Sequence, residues 1–158
     1  METIKKYDSR VREVWTGEDF ENIDSLLKQH YAQTPSIEKL EHALFAIKLD
    51  MQDYLIAEEI IELKSVGTFV EEAIVACKQI LNISKKTLAI YWETTSPNLS
   101  KYLKGERSLN VELALKIAST LDIPAQLLLD IQIKNQLLEL SNKKDYEKEF
   151  SLKELIRA

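Results

Sequence analysis

Hydrophobic residues recur at helical spacing along most of this chain, and the few polar breaks mark where helices stop. Ile4, Tyr7, Val11, Val14 and Trp15 predict a partly helical arm over 1–17, ended by Gly17. Phe20, Ile23, Leu27 and Tyr31 share one face of a predicted helix over 18–32. Thr34, Pro35 and Ser36 form a break in which Thr34 or Ser36 caps the next element. That element, predicted over 36–63, has the clearest stripe of the N-terminal half. Ile37, Leu40, Leu44, Ile47, Met51 and Tyr54 alternate spacings of three and four, and Phe45, Leu49 and Ile56 widen the face. Such a face must be buried. It is expected against the preceding helix in an antiparallel hairpin, with a dimer seam as the alternative. Glu58 would fall on that seam, which argues against a long coiled coil.

Ser65–Val66–Gly67 is the one glycine-containing junction in mid-chain and the expected domain boundary. Beyond it the pattern changes to five shorter helices, predicted over 68–81, 84–91, 96–104, 110–121 and 125–138. The last 18 residues are strongly polar, carry Tyr146, Phe150, Leu155 and Ile156, and are expected to order only against a partner. The expected fold is all-α: a helical, hairpin-like N-terminal region over 1–67, a five-helix domain over 68–140, and a polar tail over 141–158.

Composition adds three constraints. Only three Gly and three Pro interrupt 158 residues, and 45% hydrophobic with 30% charged content is that of an ordinary globular protein. No apolar run approaches the roughly 20 residues that span a bilayer. The start METIKKYDSR lacks the apolar middle of a signal peptide. With a single cysteine, Cys77, excluding an internal disulfide, a cytoplasmic location without a membrane partner is expected. The net charge of −5 is unevenly distributed. Residues 1–67 hold 8 Lys/Arg against 14 Asp/Glu, whereas 68–140 hold eight of each. Within 83–107, Lys85, Lys86, Lys101, Lys104 and Arg107 face only Glu93 and Glu106. A small basic face on an acidic protein can still engage phosphates, because distant charges are screened.

The informative stretch is ISKKTLAIYWETTSPNLSKYLKGERS, residues 83–108. Ser84 can cap a short helix whose Leu88, Ala89 and Trp92 face inward, Ala89 being small enough for a second helix to cross closely. Glu93, Thr94 and Thr95 make a tight turn, and Thr95 can cap the next helix. Pro97 is tolerated in that helix's first turn, where backbone donors lack partners. Leu99 and Leu103 point inward, Ser96, Pro97, Asn98 and Lys101 point outward, and Gly105 closes the helix. Two short helices joined by a tight turn form a DNA-reading unit whose second helix fits the major groove.

Ser84, Leu88-Ala89, Thr94-Thr95, Leu99-Ser100 and Gly105 resemble the Xre/Cro helix-turn-helix family of repressors. Downstream, SLNVELALKIASTLDIPAQLLLDIQIKNQL resembles the HigA-like antitoxins of toxin–antitoxin systems. The resemblance covers about 70 of 158 residues and rests on the combined register of four helices. It implies a repressor that binds a palindromic double-stranded operator as a homodimer and neutralises a small basic RNase-like toxin. The acidic residues 1–67 have the charge to grip such a toxin, with the polar tail over 141–158 as the alternative. Two departures stand out: the family usually has Gly where this chain has Glu93, and contact positions often held by Gln or Arg are Ser96 and Pro97.

The expected DNA-binding residues are Lys85, Lys86, Thr95, Ser96, Pro97, Asn98, Lys101, Lys104 and Arg107. Against them stand plainer roles: a solvated face for the cations, and a capping or surface role for Asn98. Tyr91, Trp92 and Tyr102 are expected in the core or an interface rather than as stacking platforms, and Cys77 as a small buried hydrophobe. His30 and His42 are isolated, so no metal is expected. No catalytic set, cofactor loop or paired-carboxylate signature points to an enzyme. A stand-alone Xre-family regulator and a helical protein-interaction adaptor are the alternatives.

Overall fold

The structure, a computed structural model, describes residues 17–158. The arm expected from Ile4, Tyr7, Val11, Val14 and Trp15 lies outside the described residues. Those described form an all-helical chain without strands: α1 (Gly17–Gln33), α2 (Ser36–Ile56), α3 (Val66–Leu81), α4 (Lys85–Tyr91), α5 (Ser96–Leu103), α6 (Val111–Leu121), α7 (Ala125–Lys143), α8 (Tyr146–Glu149) and α9 (Leu152–Arg157). Among them, no helix is long and apolar enough to cross a membrane.

The chain divides into two compact units, one ending at Lys39 and one running from Leu40 to Ala158. In the first, α1 leaves Leu26, Leu27 and Tyr31 exposed. Lys28 pairs with Asp24 one turn earlier, and the Lys39 ammonium lies 4.7 Å from the centre of the Tyr31 ring.

The second unit has one core. Leu40, Leu44, Ile47 and Met51 of α2 join Phe69, Trp92, Ile117 and Leu128 there. Within this unit the α2 stripe is therefore buried on the C-terminal helices. Phe45, Leu49 and Ile56, expected to widen that stripe, stay exposed. Cys77 is buried, as its place on the inner face of α3 implies, and burial pushes its thiol above the usual range.

The last long helix, α7, runs to Lys143, five residues past its expected end. Two other boundaries differ from the pattern-based expectation, and both have a long-range cause. The helix predicted over 36–63 ends at Ile56 although neither Gly nor Pro follows. The Lys134 ammonium of α7 donates to the carbonyls of Tyr54, Leu55 and Ala57 at 2.9, 2.9 and 2.8 Å. Those oxygens are the acceptors a further turn would need. Asn135 then takes the chain after the loop, its Nδ2 donating to the Lys64 carbonyl at 3.0 Å while its Oδ1 accepts from the Tyr54 hydroxyl.

The second difference is at Ser65–Gly67, which lies inside the second unit. Ser65 caps α3 by accepting the Thr68 N–H at 3.1 Å, and α3 starts at Val66. Gly67 is buried in its first turn, where a Cβ would overlap the Leu103 carbonyl at the end of α5. Glycine is needed there for close approach, not for flexibility.

The tail is helical here without burying its apolar residues. Asp145 and Ser151 supply local caps to α8 and α9, while Phe150, Leu152, Leu155 and Ile156 remain exposed.

Candidate nucleic-acid interface

The α4–α5 pair is built by residues close in sequence. The Ser84 hydroxyl accepts the Thr87 N–H at 3.1 Å to open α4. The Thr95 hydroxyl accepts the Asn98 N–H at 3.3 Å to open α5, with Pro97 in the first turn. Each satisfies an otherwise orphaned donor. At the other end Gly105 takes φ +77°, which suits glycine. Its N–H donates to Tyr102 O, and the Glu106 N–H donates to Lys101 O, which closes the last turn. Leu88, Ala89, Trp92, Leu99 and Leu103 all point into the core. Their spacing alone required this.

The turn between the helices holds one strained residue. Glu93 has φ 57°, a left-handed backbone that costs most residues energy through their Cβ. Among the described residues, the other two non-glycine positions with positive φ are Asn82 and Asp122, types that visit this region more readily. Glu93 instead finds its support on α6. The Lys116 ammonium lies 2.5 Å from its carboxylate and 2.9 Å from that of Glu112. Lys116 holds the Glu93 carboxyl below the usual carboxylate range, and the two carboxylates hold Lys116 above its own. Beside them, Trp92 Nε1 donates to the Thr120 hydroxyl at 2.8 Å, which in turn donates to the Lys116 carbonyl at 2.9 Å. These bonds fasten the turn to α6.

The outer face of α5 is open to solvent. Pro97 and Lys101 are exposed, and Ser96 and Asn98 are partly exposed. Lys86, Lys104 and Arg107 are exposed too, and none of these cations makes an ion pair among the described residues. The loop that carries Lys104 and Arg107 is set by α7. The Leu109 N–H donates to Gln132 Oε1 at 2.7 Å, Gln132 Nε2 returns a bond to Leu109 O at 3.1 Å, and Gln136 reaches Ser108.

Two of the nine expected contact residues have other tasks. Lys85 is half-buried and paired with Glu71 of α3 at 2.9 Å. The second Glu71 oxygen is shielded and has no hydrogen-bond partner among the described residues. Thr95 spends its hydroxyl on the cap. The aromatic residues separate as well: Trp92 is buried, Tyr102 is partly buried and Tyr91 is exposed. Among the described residues no cluster of His, Cys, Asp or Glu could hold a metal ion.

Sequence reasoning missed the partners supplied by other helices: Glu71 for Lys85, Lys116 for Glu93, Thr120 for Trp92 and Gly67 for the end of α5. None of these pairings has a local signal; only the neighbouring Glu112–Lys116 pair, at i,i+4, does. Comparison with known proteins finds no matching family model, no matching curated protein and no matching solved structure.

Proposed function

We propose that this chain is a sequence-specific DNA-binding repressor whose α4–α5 pair is a helix-turn-helix, α5 being the helix that enters the major groove. One observation carries the reading. Leu99 and Leu103 bury one side of α5 while Ser96, Pro97, Asn98 and Lys101 leave the opposite side accessible, beside the exposed Lys86, Lys104 and Arg107. Asn98 has the donor and acceptor to read an adenine edge. Pro97 has no backbone donor, so it contributes by apolar contact with a thymine methyl or through DNA shape. The cations meet phosphates and set affinity more than specificity.

Within this reading the chain binds a palindromic operator as a homodimer, with half-sites about one helical turn apart. It acts as the antitoxin of a toxin–antitoxin pair, and the acidic residues 1–67 hold a small basic RNase-like toxin. Charge supports that second role: an RNA-cleaving protein needs a basic surface, and an acidic partner complements it.

A mobility-shift titration against DNA from the protein's own promoter tests the reading. Retardation that weakens steeply with salt is expected. No salt-sensitive retardation at micromolar protein would overturn it in favour of a protein-interaction adaptor.

A further inference from the structure

Away from α5, the loop between α2 and α3 combines three features that the proposed DNA-binding face does not use. The first is exposure. Ile61 is 102% exposed, and Ile56 and Leu63, five and two positions away, are 76% and 48% exposed. A single surface isoleucine is ordinary, but three exposed aliphatic side chains within eight positions of one connection are a candidate contact. The second feature is its charge. Asp50, Asp53, Glu58, Glu59 and Glu62 are all exposed, no Lys or Arg lies between 50 and 63, and none of the five makes an ion pair among the described residues. The third is a fixed base. Lys134 spends its three donors on the carbonyls of Tyr54, Leu55 and Ala57, and Asn135 holds Lys64 and Tyr54.

We infer that residues 57–63 form a presented anchor loop for a basic protein, with Ile61 entering an apolar pocket on that partner and the surrounding carboxylates meeting its cations. The arrangement is that of an interface hot spot, an apolar anchor within a polar rim. A base held by α7 lowers the ordering cost of binding. The rim selects among occupants. Nucleic acid and anionic lipid are repelled by these carboxylates. A second copy meeting this patch symmetrically would set the same carboxylates against each other. A cationic protein gains from every one of them. The inference rests on the reading of residues 1–67 as the partner-holding part of the chain, and names the contact within it.

The test uses the full chain carrying the photo-crosslinker benzoylphenylalanine at Ile61, expressed in its own host and irradiated there, with Phe45 and Ile133 as comparison positions. Adducts from position 61 to a protein of net positive charge are expected. Binding of that purified protein should then weaken about tenfold or more in Ile61→Glu. Lys134→Met should weaken it less, through the loop's base. Promoter retardation by Ile61→Glu should match the unsubstituted chain, which shows that the variant is folded. Adducts only to copies of this chain, no adduct from position 61, or an affinity unchanged in Ile61→Glu would overturn the anchor. A basic protein captured from Phe45 but not from Ile61 would overturn it while leaving the partner-holding reading intact. Failure to capture any basic protein from the three positions would count against both.

Discussion

Two connections in the second unit are shaped by different means. The turn at 92–95 between α4 and α5 has its limits set by local caps, Ser84 and Thr95, and by the glycine that ends α5, and only its middle is fastened by Lys116 and Thr120 of α6. The connection at 57–65 between α2 and α3 begins where Lys134, about eighty positions away, captures the end of α2. A locally capped turn announces itself in the sequence. A connection held from another helix does not. The contrast also bears on rigidity, because the second connection leads directly into the turn where Gly67 meets the end of α5. The ends of α2 and α5 thus share a support, α7, whose Gln132, Lys134, Asn135 and Gln136 face the loops after both helices.

Substitutions can break this comparison on either side. The largest effect is expected at Gly67→Ala, which forces a methyl group into the Leu103 carbonyl; about 3 kcal/mol of stability should be lost in a denaturant titration. An unchanged midpoint would mean that α3 and α5 do not approach so closely. Lys134→Met keeps the aliphatic stem but leaves three carbonyls without their donor. A loss of about 2 kcal/mol is expected, with faster hydrogen exchange confined at first to the end of α2.

On the other side of the comparison, Asn98→Ala should leave stability nearly unchanged and cost about 1–3 kcal/mol on the operator, with little change on random DNA. Equal losses on both DNAs would remove Asn98 from base reading. Lys101→Ala should lower the slope of log affinity against log salt by about one, whatever the DNA sequence.

The smallest change is expected at Glu93→Gly, which relieves the left-handed backbone but removes the contact with Lys116. The midpoint of thermal unfolding should rise slightly at acid pH and less at neutral pH. The sign follows from the lowered Glu93 carboxyl. Its contact contributes above the unfolded carboxylate range and is lost as pH falls through the lowered folded value. Lys116→Gln should remove this acid-side dependence. A Glu93→Gly midpoint that shifts equally at both pH values would show that the contact contributes nothing.

Much of the candidate interface was legible because its determinants are short-range. Leu88, Ala89, Trp92, Leu99 and Leu103 are inward by helical period, and Ser84, Thr95 and Gly105 are read from their positions at helix ends. The pairing of Lys85 was not legible because its partner lies on α3. Nothing near it in sequence separates a cation bound to Glu71 from one facing solvent. The role of Gly67 was hidden for a related reason. A mid-chain glycine reads as a domain junction when its neighbours are unknown, and as a close helix contact once Leu103 is in place.

By itself, the sequence determined the helical class, most helix limits in the C-terminal half and the inward face of each short helix there. Those properties depend on hydrophobic period, caps and breakers within a few residues of one another. Tertiary structure decided where the α2 stripe is buried, where α2 stops, which cations remain unpaired among the described residues and how the strained Glu93 is supported. Each of those outcomes depends on which side chain arrives from a distant helix, and no local pattern encodes that arrival.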